Sequence, residues 1–174
     1  MIPQKNSYTI INNFINQDEV ELAFSFFPPI KDWFKFKCNT TSRTQSQPLT
    51  PKTHPSLFKF FQEKFNELNL TLIQRITPRI YQIGDFVDWH KDYETVEKSD
   101  NEKLIYEGTL VLKNTSDSVT RFKVRDSFGG DTEGKIEDRK TTVGDLILVC
   151  RNGIEHMVTK VTEGERIIVK FTAI

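Results

Sequence analysis

Two imidazoles, one carboxylate and one guanidinium carry the chemistry that can be read in this 174-residue chain. His90-Lys91-Asp92 supplies a histidine and an aspartate two positions apart, His156 adds a second histidine far downstream, and Arg166 follows it. Two histidines and a carboxylate on one face of an octahedral cation such as Fe(II) leave three positions open, enough for a chelating co-substrate and O2. Arg166 is suited to the far carboxylate of such a co-substrate: its planar fork matches a carboxylate, and a guanidinium facing the same cavity is costly unless paired.

These side chains need rigid elements to hold them. Alternate residues of a strand share a face, so His90 and Asp92 are expected to project together with Lys91 turned away. His156 lies in Ile154-Glu155-His156-Met157-Val158, which reads as a strand, and Arg166 opens the next one, after a turn at Thr162-Glu163-Gly164-Glu165. Upstream, residues 8–11 read as an opening strand and 17–24 as a helix with acidic residues in its first turn, stopped by Pro28-Pro29. A second helix follows Pro55, where Phe58, Phe61, Phe65 and Leu68 form an apolar stripe expected to pack on the outer face of a sheet.

From residue 72 the pattern is short β-runs separated by turns: 72–83, 107–113, 119–124, 145–150, 154–161 and 166–172. Helices first and antiparallel strands afterwards predict a mainly-β protein, a jelly-roll core flanked by helices. The chain is expected to be a single domain, with 1–71 a helical buttress carrying the opening strand and 72–174 the jelly roll. The charged stretch 94–103 and the Gly- and charge-rich stretch 125–142 read as loops, placed to wall a substrate groove.

The ordered set of motifs resembles the Fe(II)/2-oxoglutarate-dependent dioxygenases, and within them the prolyl 4-hydroxylase-like branch. The segments that carry the resemblance are Pro78-Arg79-Ile80-Tyr81-Gln82-Ile83-Gly84 leading into Trp89-His90-Lys91-Asp92, then Val143-Gly144-Asp145-Leu146-Ile147-Leu148-Val149, then Glu155-His156-Met157-Val158 with Gly164-Glu165-Arg166. The resemblance implies a double-stranded β-helix with iron held by His90, Asp92 and His156. It also implies 2-oxoglutarate bound by Arg166 and assisted by Tyr81, O2 as oxidant, and ascorbate as an optional reductant. The implied reaction hydroxylates an unactivated C–H bond, with a prolyl or other side chain of a protein or peptide as the favoured target, and releases succinate and CO2.

Two departures stand out. Lys170 shares a strand face with Arg166 where several relatives carry a small hydroxyl residue. A Gly-Gly-Glu-Thr-type segment has its nearest match in Gly129-Gly130-Asp131-Thr132-Glu133, in ambiguous register. Each site residue also has an ordinary role open to it: a satisfied histidine on a sheet face, an aspartate capping a loop, an arginine ending a hairpin, a tyrosine packing the core. Two of the three histidines standing at the positions the resemblance requires weighs against that; the third, His54, reads as a loop residue.

Composition sets the remaining bounds. A hydrophobic fraction of 37% with 14 Phe supports a buried core. With 24 Lys+Arg against 24 Asp+Glu there is no global basic field to drive non-specific nucleic-acid binding, although local basic patches remain open. A nucleobase-demethylating dioxygenase is the first alternative, yet such enzymes usually carry a second arginine soon after the co-substrate arginine, and 167–174 has none. The other alternative is a non-catalytic jelly-roll module binding a metal or ligand. Cys38 and Cys150 are too few for a disulfide framework, and neither a signal run nor a bilayer-length apolar stretch is present. The expectation is an intracellular, cytoplasmic monomer that meets a peptide, protein or small-molecule substrate and neither nucleic acid nor membrane.

Overall fold

The computed structural model of the protein describes residues 2–4, 6–92, 104–124, 134–151 and 153–174, with Gln74 as backbone. Eleven strands and two α-helices occur among them: β1 (Tyr8–Ile11), α1 (Gln17–Ser25), β2 (Phe34–Cys38), β3 (Thr41–Gln45), α2 (Pro55–Asn66), β4 (Leu72–Tyr81), β5 (Phe86–His90), β6 (Tyr106–Asn114), β7 (Thr120–Val124), β8 (Lys135–Arg139), β9 (Leu146–Cys150), β10 (Glu155–Val158) and β11 (Arg166–Ala173). The strands pair in the order β1-β9-β6-β11-β4-β3-β5-β10-β7-β8, with β2 added to β3. Every pairing is antiparallel. The four-strand groups β9-β6-β11-β4 and β5-β10-β7-β8 are the two walls of a jelly roll, and β3 is the bridge that pairs with both β4 and β5.

Period-two alternation decides which side of the first wall does what. On β11, Ile167, Val169, Phe171 and Ala173 join the large core cluster, as do Ile76 and Ile80 of β4 and Leu146 and Leu148 of β9. That outer face is covered by the helices. Phe61 and Phe65 of α2 contact the Phe171 ring with centroids 4.7 and 5.2 Å away, as the apolar stripe of α2 predicts. α1 starts with a reciprocal cap: Asn16 Oδ1 accepts from the Glu19 N–H at 3.0 Å and Glu19 Oε2 accepts from the Asn16 N–H at 2.9 Å. The opposite faces of β4, β11 and β9 look into the space between the walls.

Two Gly-Asp turns set the wall geometry. In 82–85 and 142–145 the Asp N–H donates to the carbonyl three residues back, and the Asp carboxylate accepts the backbone N–H of that same residue. Gly84 and Gly144 sit third in these turns at φ +92° and +88°, where an L side chain is strained. At Gly144 a Cβ would also lie 2.3 Å from the Ile15 carbonyl oxygen, so the turn is packed against the start of α1.

The structure corrects several expectations. The stretch 1–71 holds the hairpin β2–β3 besides its helices and opening strand, and residues 135–139 of the expected loop 125–142 are instead strand β8, while 125–133 lie outside the described residues. The strand expected over 154–161 ends at Val158, and β5 ends at His90, leaving Asp92 beyond it. β3 and β8 are polar, with charged or hydroxyl residues and little apolar signal, because they are bridging or edge strands, whereas β2 alternates Phe and Lys yet is exposed along its whole length. The loop expected at 94–103 and the segment Gly129-Gly130-Asp131-Thr132-Glu133 lie outside the described residues. Among the described residues no helix is long and apolar enough to cross a membrane.

Candidate metal centre

β5 and β10 are neighbours in the second wall, and their register sets His90 directly opposite His156, with ring centroids 4.4 Å apart. Each imidazole is turned by its own backbone. His90 Nδ1 lies 2.8 Å from the Asp88 carbonyl and His156 Nδ1 3.3 Å from the Ile154 carbonyl. A carbonyl can only accept, so Nδ1 carries the proton in both rings and each Nε2 presents a lone pair inward, the arrangement that orients metal-ligating histidines.

Asp92 meets both Nε2 atoms although it stands past the end of β5. Its Oδ1 is 3.7 Å from His90 Nε2 and its Oδ2 is 3.5 Å from His156 Nε2. One ligand atom from each of the three residues falls within 4.8 Å of the others. Neighbouring donors around a small octahedral cation with bonds of about 2.1 Å stand about 3 Å apart, so the set fits such an ion with a modest contraction.

Burial lowers His156 to about 4, against the opposing Asp92 charge, and lowers His90 in the same way. Burial acts to raise Asp92, but Lys170, His156 and His90 together hold its carboxyl well below the usual carboxylate range. At neutral pH the triad is therefore two neutral imidazoles and one carboxylate, the protonation state a divalent metal requires.

Arg166 opens β11 in the first wall, opposite Tyr81 on β4, so both point into the same interior. Each is only 1% exposed. The Arg166 guanidinium donates from Nη1 to Thr120 Oγ1 at 3.1 Å and from Nη2 to Thr141 Oγ1 at 3.4 Å, while its buried Nε has no hydrogen-bond partner. Among the described residues no carboxylate pairs with it. Burial pulls it down to about 10, yet it stays cationic at neutral pH: a buried charge without an anion.

The triad, Arg166 and Tyr81 line one cavity of about 260 Å³. Phe122, Ile147, Val149, Val158 and Ile168 supply its apolar wall. Lys170 lies at the same interior, its Nζ 3.3 Å from Asp92 Oδ2, which fills the position where the sequence departed from its resemblance. Sequence reasoning left Thr120, Thr141, Arg43 and Arg79 unassigned. Arg79 was legible by alternation from Tyr81, two residues on along β4, whereas Thr120 and Thr141 come from unrelated segments that only folding brings to Arg166.

No protein-family model matches the sequence, and no match is found among curated proteins. Solved structures do match in fold. A prolyl-4-hydroxylase from Pseudomonas putida superposes with a TM-score of 0.68 at 16% identity, covering 97% of this chain and 92% of its own. The viral collagen prolyl hydroxylase of Paramecium bursaria Chlorella virus-1, solved with 2-oxoglutarate, gives 0.62 at 16% identity over 95% of each chain. HygX from Streptomyces hygroscopicus, solved with nickel, 2-oxoglutarate and hygromycin B, gives 0.64 at 14% identity, over 97% of this chain and 83% of that one. The fold is thus the jelly roll of the 2-oxoglutarate-dependent oxygenases, prolyl 4-hydroxylases included.

Proposed function

We propose that this chain is an Fe(II)- and 2-oxoglutarate-dependent dioxygenase that hydroxylates an unactivated C–H bond, with a prolyl or other side chain of a peptide or protein as the favoured target. One observation carries the reading. A His-Asp-His set with both Nε2 atoms turned inward shares a cavity with a fully buried arginine that has no counter-anion among the described residues. A structural metal module has no use for that arginine; a dicarboxylate co-substrate does.

His90, Asp92 and His156 would hold the iron. When bound, iron with 2-oxoglutarate and O2 supplies the oxidation that turns a C–H bond into an alcohol and yields succinate and CO2. This chain's residues do the rest. Arg166, steadied by Thr120 and Thr141, takes the distal carboxylate of the co-substrate through Nε and the free face of its fork. Tyr81, packed opposite it, offers its phenol to the same carboxylate. Lys170 keeps Asp92 ionised and fixes its second oxygen. The apolar wall keeps water from the reacting carbon.

Anaerobic titration of metal-free protein with Fe(II) and then 2-oxoglutarate tests the reading. A visible charge-transfer band that requires both additions, and is lost in His156→Ala and Asp92→Ala, is the expected result. Folded wild-type protein that gives no band would refute the assignment and leave a non-catalytic jelly-roll module.

A further inference from the structure

The chain is neutral overall, but its interior is not. Among the described residues six cations, Arg43, Arg75, Arg79, Arg151, Arg166 and Lys170, line the metal cavity and a second cavity of about 170 Å³ beside it, against three carboxylates, Asp88, Asp92 and Glu107. The two cavities share Arg79, Asp92, Glu107 and Lys170 as walls, so they adjoin along one groove wall. Three of the cations already have assigned work. Arg151 pairs with Glu107, Lys170 with Asp92, and Arg166 faces the expected co-substrate. Arg43 donates to Gln45 and Thr41 and lies over the Phe36 ring, which leaves Arg75 and Arg79.

Their placement follows from strand alternation. Arg75, Thr77, Arg79 and Tyr81 occupy successive same-face positions of β4. Arg79 stands opposite Ile168 on β11, so along the groove it lies between the Arg166–Tyr81 rung and the Lys170–Thr77 rung. On its other side it faces Gln45 of β3, which accepts from Arg43 Nε at 2.7 Å.

The Arg79 side chain makes no hydrogen bond or ion pair among the described residues, and its Nε is buried with no partner. Burial and then the Arg79 charge beside it draw Arg43 below its ordinary value. Arg43 is held in place by Gln45 and Thr41, so a fixed cation stands beside a guanidinium that has no acceptor of its own among the described residues, and together they form a receptor for an anion.

We infer that Arg79, flanked by Arg43 and Arg75, receives an anionic group of the substrate, a carboxylate or a phosphate, and so selects for acidic substrates at the metal centre. The inference rests on the dioxygenase reading only for the word substrate; the anion site itself does not.

The test uses Zn(II)-loaded full-length protein saturated with 2-oxoglutarate, titrated by calorimetry with four probes. These are N-acetylaspartate amide against N-acetylasparagine amide, and O-phosphoserine against serine. The Arg Nε–H resonances are followed by NMR in parallel. At least one charged probe is expected to bind where its neutral partner does not, to shift the Arg79 Nε–H signal, and to weaken about tenfold or more in Arg79→Gln, with Arg79→Lys in between. The carboxylate and phosphate arms tell the two anion sources apart. Equal binding to Arg79→Gln, or no binding of either charged probe to wild type, overturns the inference. So does an Arg79→Gln variant whose only defect is weaker 2-oxoglutarate binding, since Arg79 would then serve the co-substrate. Failure of wild type to bind 2-oxoglutarate would instead sink the dioxygenase reading, while probe binding lost in Arg79→Gln would still establish the anion site.

Discussion

Arg166 shows most directly how one residue ties stability to function. Its guanidinium is desolvated and is met by two threonine hydroxyls and no carboxylate among the described residues. Replacing a poorly compensated buried charge with an apolar side chain of similar length often stabilises a protein, by about 1–4 kcal/mol. Arg166→Met is therefore expected to unfold at higher denaturant concentration than wild type while losing the thermal shift that 2-oxoglutarate gives in the presence of Zn(II). A less stable Arg166→Met, measured by urea unfolding, would show that Thr120 and Thr141 already compensate the charge.

The two Gly-Asp turns allow a controlled comparison at the scale of the element. Both glycines have positive φ, but Gly84 faces open space while a Cβ at Gly144 would strike the Ile15 carbonyl. Gly84→Ala meets the conformational cost alone, about 1–2 kcal/mol. Gly144→Ala meets that cost plus a backbone clash and is expected to lose at least about 1 kcal/mol more. Equal losses in equilibrium unfolding would mean that the 142–145 turn moves off α1 at little cost. The same comparison separates a turn that only joins β4 to β5 from one that also docks the helical layer on the jelly roll.

At the scale of the whole molecule, Asp85 ties the bridging hairpin to the rest. Its buried carboxylate accepts from Ser42 of β3 at 2.6 Å, from Lys35 of β2 at 2.5 Å, and from the Gln82 N–H at 3.0 Å. Burial raises Asp85, but these donors outweigh it and leave its pKa lowered. A carboxyl with a lower pKa folded than unfolded contributes stability above the unfolded value, about 3.9, and loses it as pH falls through the folded value. Unfolding free energy is thus expected to decline from about pH 5 downward, and Asp85→Asn to be less stable at pH 7 with a flatter acid limb. An unchanged acid limb in the variant would show that other carboxylates govern acid unfolding.

The sequence by itself determined the candidate site residues and the apolar layers: His90, Asp92, His156 and Arg166 stand out by type and order, and the stripe of α2 and the alternation of β11 by period. Those signals are local, because a ligand's identity or a hydrophobic period needs no knowledge of neighbours. Tertiary structure decided which residues meet. It put Asp92 against both imidazoles from beyond its strand, brought Thr120 and Thr141 to Arg166, and supplied the exposed strand β2 and the polar strands β3 and β8. Among the described residues it also gathered six cations from a neutral composition around two adjoining cavities. Net charge sums over the chain, whereas a binding site depends on where strand register places each charge.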